Sequence, residues 1–443
     1  MNISISEHFS YRKLFKFVWP SIVMMVFVSI YSIVDGYFVS NFAGETEFAA
    51  INFIFPSIMM LTSVGFMLGT GGSALVGKTL GEQNKKKADE LFSMFVFLAI
   101  VIGFILFFIG IIIVPPVGSL MGATGDLLHY SILYGRTLCF GCVPQMLHFL
   151  FEPFLVTAEK PKMGLVTTVL AGITNIVLDF VFVYLFRWGV VGAGAATVIG
   201  QAIGGFSPLI YFLSKRNNST LHLCKFKMDY KSLFRACGNG FSELLSNISM
   251  SLSGLLFNTQ LMRYFGEYGV STYGVILYVN FVFISSFIGY SIGTAPIVSY
   301  HYGAKNKDEL HNILKKSLII VTVTSVVMFA VSYLFAEPIS YLFVGYNKEL
   351  LDLTVREMDL YAFTYLFIGY CIFASDFFTA LNDGITSAII SFLRIAVLEI
   401  GFIFILPYYF GGDAIFYSTG LACIVTDIIA FVFIIVYRKK FGY

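Results

Sequence analysis

An all-α integral membrane fold, with twelve transmembrane helices in two six-helix lobes related by a parallel repeat, is predicted by three observations. The 443-residue chain is 58% hydrophobic and only 12% charged, about half the roughly 25% that a solvated surface demands. Long apolar runs recur along the whole chain between short polar connections. Finally, GKTLGEQNKKKADELF at 77–92 has an echo in SYHYGAKNKDELHNIL at 299–314, pairing Gly81 with Gly303, Asn84 with Asn306 and Lys85 with Lys307 at a separation of 222 (303 − 81). Half the chain is about that long, so the two halves repeat.

A bilayer offers backbone groups no water, so runs of about 20 apolar residues read as spanning helices. Their cores fall at 15–41, 48–77, 90–114, 127–157, 163–186, 191–213, 233–262, 270–300, 314–335, 351–379, 385–408 and 414–437. The first run follows a basic start, but it is too long for a secretory signal and lacks a small-residue cleavage site. It reads as the first span. The connections that follow alternate in charge. Arg12 and Lys13 precede the first span and Glu45 and Glu47 follow it, whereas Lys85, Lys86 and Lys87 follow the second. Lys160 and Lys162 follow the fourth, and the longest loop, after the sixth, carries Lys215, Arg216, Lys225, Lys227 and Lys231. Lys305, Lys307, Lys315 and Lys316 follow the eighth, and Arg438, Lys439 and Lys440 end the twelfth. Basic loops belong in the cytoplasm, so both termini are expected there. Six spans per half make the repeat parallel, as in transporters that rock two lobes. Residues 1–222 form the N-terminal lobe and 223–443 the C-terminal lobe, with the basic loop at 214–232 as the hinge.

GSALVGKT at 72–79 fits the phosphate-loop pattern letter for letter. Such a loop needs a strand before it and a helix after it, so that backbone amides converge on phosphate. Here a helical apolar run precedes it, and the repeat partner TAPIVSYH lacks the glycine and the lysine-threonine. No nucleotide is expected to bind, and Lys78 serves as an inside-facing anchor. Energy must come from an ion gradient or from the solute itself. The net charge of +2 and the absence of a basic patch with interleaved aromatics argue against a nucleic-acid partner. Cys139 and Cys142 in CFGC are small buried apolar residues rather than a metal site. An intramembrane enzyme would need a nucleophile with a base or metal ligands at helical spacing; His129, His148 and His301 lie in separate segments without such partners. No enzymatic activity and no cofactor are expected.

Acidic residues inside spans are functional candidates, because a charge in hydrocarbon is costly. Asp35 lies about 20 residues from the inner start of its span and Asp179 about 16, so at about 1.5 Å per residue both reach the outer half and can share a site. Asn175 stands one turn below Asp179 on the same helix face. A carboxylate there exchanges H⁺, or the oxygens hold Na⁺. The 222 offset sets Phe257, Val397 and Gly401 opposite these three, which confines the chemistry to one lobe. Glu152, Glu243 and Asp376 are candidates for the substrate cavity, Glu243 by offering negative charge to a cationic solute. Arg394 and Glu399 neutralise each other, and Asp427 is also within a span. The glycines of GVVGAGAATVIGQAIGG permit close helix approach.

With IVDGYFV in the first span, GTGGSALVGKTLGEQN after the second, AEKPK, NIVLD and GAGAATVIGQ through the fifth and sixth, and the GTAPIVSYHYGAKN echo, the chain resembles the multidrug and toxic compound extrusion (MATE) transporters over essentially its whole length. The resemblance is to the bacterial branch. It implies a V-shaped cavity between two lobes and antiport of amphipathic, often cationic compounds against H⁺ or Na⁺, by a monomer in the cytoplasmic membrane. It also implies that Asp35, Asn175 and Asp179 form the cation site. Another branch uses acids of the seventh and tenth spans; Glu243 matches the first, while Asp376 falls a turn or two from the second. The alternative is a lipid-linked saccharide flippase of the same architecture, whose cavity would carry cationic groups for a pyrophosphate.

Overall fold

The computed structural model describes residues 3–443. Ten helices are long and apolar enough to cross a bilayer, and the pair Gly125–Cys139 and Cys142–Thr157, bent by 59°, forms one further span. The longest helix, Tyr230–Gly303, has 74 residues, about 110 Å at 1.5 Å per residue and far more than a bilayer needs. Gly266 interrupts it at φ 62 and ψ −148, a conformation essentially reserved for glycine. The chain reverses there, which brings the spans to twelve among the described residues. In order they are Tyr11–Phe42, Thr46–Gly81, Lys85–Leu120, 125–157, Pro161–Leu185, Gly189–Leu213, 230–265, 267–303, Lys307–Leu334, Lys348–Ala380, Gly384–Phe410 and Gly412–Phe441.

The repeat is written into the backbone as well as the letters. Gln83 and Lys305 both adopt positive φ, as do Gly189 and Gly411, and each pair is 222 apart. Asn84 and Asn306, at the same separation, cap the third and ninth spans by accepting from the backbone amides of Lys87 at 3.2 Å and Glu309 at 3.1 Å. An asparagine carbonyl here satisfies one of the amide donors that every helix start leaves unpaired.

Each lobe has its own apolar core. One gathers residues mainly of the second to sixth spans, with Val39 of the first and Ala236 of the seventh, and the other mainly residues of the seventh to twelfth, with Val156 of the fourth. Phe9, Leu14, Phe17 and Val18, from the chain's beginning and the first span, pack into the second core, so the lobes meet at the end of the bundle that carries the termini. The meeting is a glycine seam. A Cβ on Gly71 would strike the Ala236 carbonyl, on Gly240 the Met67 carbonyl, on Gly81 the Tyr300 carbonyl and on Gly303 the Lys78 carbonyl. Backbone meets backbone there, as only glycine permits. The amide of Asn382 donates across the seam to the Ala74 carbonyl at 3.2 Å. Farther from the termini the lobes touch through Ser29 and Ser285; among the described residues no hydrogen bond joins them beyond that level.

Residues 3–10 run beneath the seam as a strap. At one end Ser4 Oγ and the Ile5 amide donate to Glu159 of the N-terminal lobe at 2.6 and 2.9 Å. At the other, the Phe9 amide donates to Glu309 of the C-terminal lobe at 2.9 Å, His8 Nδ1 lies 2.6 Å from the same carboxylate, and the Phe9 carbonyl accepts from Asn312 at 3.1 Å. The loop after the sixth span is fastened to the third: the His222 amide donates to Asp89 and the Cys224 amide to Ser93, each at 2.9 Å. Lys87 hydrogen-bonds Asp229 at 2.5 Å, and this bond holds the Asp229 carboxyl well below its usual range.

Candidate functional site

Asp35, Asn175 and Asp179 come together in the N-terminal lobe, where the Asp35 carboxyl lies within reach of both fifth-span side chains. Asp179 is 0% exposed and Asn175 4%, while Asp35 is half-buried. One oxygen of Asp35, both carboxyl oxygens of Asp179 and both amide atoms of Asn175 are buried without a hydrogen-bond partner. Each such atom costs about 1–3 kcal/mol in desolvation, so five in one place mark a site built to meet something other than its own protein. The helix is locally distorted there: a π-helical turn, Phe180–Leu185, starts immediately after Asp179, a feature that often marks functional positions. The oxygens are hard donors of the kind that bind Na⁺, and the carboxyls equally accept H⁺. Tyr134 of the fourth span lies beside Asp35 and Asp179, a neighbour that hydropathy alone does not reveal.

Sixth-span glycines make the room. Gly200 lies against Asn175, whose Cβ would be 3.1 Å from a Cβ placed there, and Gly204 lies against the His148 ring. Thus the glycine-rich sequence packs closely, as expected, and in packing closely it shapes the site. Glu152 is buried in the same lobe, one helical turn from His148, with Nε2 and Oε1 3.7 Å apart. His148 therefore has an acidic partner at helical spacing, which corrects the reading of an isolated histidine. The i, i+4 pattern was visible in the sequence.

In the C-terminal lobe Glu243 and Asp376 lie within reach of one another, with Ser291 beside Asp376. Arg394 neighbours Glu243, Asp376, Glu399 and Asp427. Glu399 also accepts from Thr419 Oγ1 at 3.1 Å, and the Cys371 thiol donates to Asp427 at 3.0 Å. The pairing of Arg394 with Glu399 read from sequence is thus part of a larger cluster. Arg394 and Glu399 lie in a second π-helical segment, Leu393–Glu399. Among the described residues no three His, Cys, Asp or Glu side chains gather as a metal-binding group.

The sequence pattern of the MatE family matches residues 20–181 and again 244–405. This chain belongs to the MatE family. The two matches, 162 residues each and together 324 of 443, are the two lobes of one MatE transporter, and they are offset by 224 (244 − 20) at both ends. Relatives of this MatE protein include the multidrug export protein MepA of Staphylococcus saprophyticus, 23% identical over 97% of this chain and 94% of that one. MepA of Staphylococcus aureus strain NCTC 8325 is 22% identical over 93% and 90%. A solved multidrug-resistance MATE transporter in an outward-facing conformation superimposes with TM-score 0.92 at 21% identity, over 98% and 97% of the two chains. A MATE in complex with MaL6 gives 0.92 at 22% identity over 98% of each chain. These likenesses carry the MatE fold across the full length.

Proposed function

We propose that this protein is a cation-coupled antiporter that exports amphipathic, often cationic compounds by alternating access, with Asp35, Asn175 and Asp179 taking up the coupling H⁺ or Na⁺. The observation that carries the reading is the cluster of five orphaned polar atoms in a buried, acid-bearing pocket beside a π-helical turn. The MepA relatives are multidrug export proteins, which supports small drug-like substrates. Substrate meets the C-terminal lobe's acid pair, Glu243 and Asp376. The in-span charge is predominantly acidic, which favours a cationic cargo over the pyrophosphate of a saccharide flippase. Residues 1–222 and 223–443 are the moving lobes. Ion binding biases their arrangement only so far as the ion's affinity differs between the two states.

The basic residues at the terminus-bearing end favour a cytoplasmic location for both termini, so the glycine seam closes the inner side and the cleft faces outward. Single cysteines at Asn218 and Thr46, in a cysteine-free background, are expected to label from opposite sides of intact cells. Labelling of both from outside would overturn this orientation. The test of transport itself is efflux of a fluorescent cation from reconstituted vesicles under imposed H⁺ or Na⁺ gradients; absence of gradient-driven movement under both defeats the proposal.

GSALVGKT lies within the helix Val64–Gly81, and Lys78 packs over the Tyr302 ring at 5.1 Å. No strand precedes the motif, so its glycines cannot form a phosphate cradle. Lys78→Ala and Thr79→Ala are expected to leave energised efflux within about twofold of wild type, because the Thr79 hydroxyl only donates to the Leu75 carbonyl of its own helix and no nucleotide step depends on either. Saturable ATP binding that Lys78→Ala removes would contradict this.

A further inference from the structure

We propose that Tyr31, Glu152 and His148 form a proton path inside the N-terminal lobe, leading from the Asp35–Asn175–Asp179 cluster toward the terminus-bearing end, and that the coupling ion is therefore H⁺. The inference rests on the assignment of that cluster as the coupling site.

His148 and Glu152 are 6% and 5% exposed, two ionisable groups one turn apart in the lobe interior, with Nε2 and Oε1 at 3.7 Å. His148 Nε2 has no hydrogen-bond partner. A pair kept only for packing would gain more from apolar side chains of the same volume, because burying charge-bearing groups without good hydrogen bonds is costly. The sixth span serves as a ruler. Gly200 lies against Asn175 and Gly204, one turn inward, lies against the imidazole, where a Cβ would come within 2.9 Å of the ring. The histidine is thus about 6 Å nearer the terminus-bearing end than the asparagine.

Tyr31 closes the gap. It stands one turn inward of Asp35 on the first span, and both Asp35 and Glu152 lie within electrostatic range of its hydroxyl. Its ring packs on Gly172, where a Cβ would come within 2.8 Å. From Glu152 the fourth span has five more residues before it ends at Thr157, about 8 Å along the axis.

From the first span Tyr31 lies within electrostatic range of Glu152, with Asp35 one turn beyond it, and from the fifth span Asn175 and then Asp179 lie at least one turn outward of His148. Gln145 shares its helix, with a buried Nε2 that has no partner. The sixth span meets the imidazole through Gly204, which carries no charge. A carboxyl or an imidazole accepts a proton at one atom and releases one from another, and a phenol does both at its single oxygen. A proton leaves a carboxyl oxygen of the cluster, passes through the Tyr31 hydroxyl to Glu152 or His148 Nε2, and departs to water at the inner end. Only O–H and N–H bonds break and form. Na⁺ has no use for such a ladder, since it needs several oxygen ligands at every stop.

The experiment uses the full chain reconstituted in vesicles, with tetraphenylphosphonium as substrate and either a pH gradient or a Na⁺ gradient imposed. His148→Gln and Glu152→Gln are each expected to slow pH-driven efflux about a hundredfold, the scale of a lost proton-transfer group. The double variant should be no slower than the worse single one. Unchanged tetraphenylphosphonium affinity of His148→Gln in detergent, and an unshifted melting temperature for both variants, show that they fold. The slowing of efflux in D₂O should persist or grow in these variants, because proton transfer then limits the rate more than in wild type. Wild-type pH-driven rates in folded His148→Gln would overturn the path, as would Na⁺-driven efflux with no pH gradient. In either case inactivity of Asp179→Asn would leave the coupling site standing. Full activity of Asp179→Asn would instead remove the site on which the path depends.

Discussion

Asp179→Asn should abolish gradient-driven efflux while the protein stays folded in the membrane. The substitution keeps the side chain's size and its ability to hydrogen-bond but removes the change of charge. Asp179 is wholly enclosed, and both its oxygens lack partners, so no stabilising hydrogen bond is lost. A buried carboxyl is among the more costly groups in a membrane, and its neutral amide removes that cost. Expression and melting temperature should therefore equal or exceed those of wild type. A tenfold ion gradient supplies about 1.4 kcal/mol and 100 mV of potential about 2.3 kcal/mol per charge. A transporter that no longer binds the ion draws on neither, so the dye gradient held by energised vesicles should decay to equality. Asp35→Asn should behave alike, and Asn175→Ala more mildly, because an amide tunes the site without carrying its charge. Normal gradient-driven efflux by well-expressed Asp179→Asn would move the coupling site elsewhere, with Glu243 the next candidate.

Gly303→Ala should drive the lobes apart at the terminus-bearing end. The added methyl would collide with the Lys78 carbonyl of the opposite lobe, and a backbone cannot step aside as a side chain does. Overpacking of this kind costs about 1–3 kcal/mol, a shift of about 5- to 150-fold in a two-state equilibrium. The nearest atoms to the added Cβ all belong to the other lobe, so the cost falls on lobe contact and not on folding. A reporter is at hand in Asn382, which donates to Ala74 across the same seam. A cysteine at Asn382 should label faster by about that factor in the Gly303→Ala background, with thermal stability of the lobes unchanged. Equal labelling rates with and without the methyl would show that the seam yields by another route.

The spans, their number and the repeat were legible because the bilayer leaves the backbone little choice, and because depth along a helix follows from counting residues. The same counting brought Asp35 and Asp179 to one level. Rotation about the helix axis was not legible. These helices are apolar on most faces, so periodicity does not say which side chain turns inward. Arg394 accordingly read as the partner of Glu399 alone, when Glu243, Asp376 and Asp427 also neighbour it. Tyr31 and Tyr134 passed unmarked among 49 phenylalanines and 26 tyrosines. The break at Gly266 falls in the gap that the sequence left between the cores at 233–262 and 270–300, but the positive φ itself has no signal beyond the letter G.

The strap at residues 3–10 has a mechanical consequence. Its two anchors, Ile5 on Glu159 and Phe9 on Glu309, are four residues apart, a leash that reaches at most about 14 Å when taut. Lobes that swing open on this side carry the two glutamates away from one another, and the leash must let go at one end once its slack is spent. The ends are not equal. Phe9 is 0% exposed and Ile5 2%, and both side chains belong to the apolar core made mostly by the C-terminal lobe, so at the Glu159 end only hydrogen bonds from Ser4 and Ile5 hold the other lobe. The grip on Glu159 is thus the one that slips, and the chain's first residues travel with the C-terminal lobe although they are covalently the start of the other.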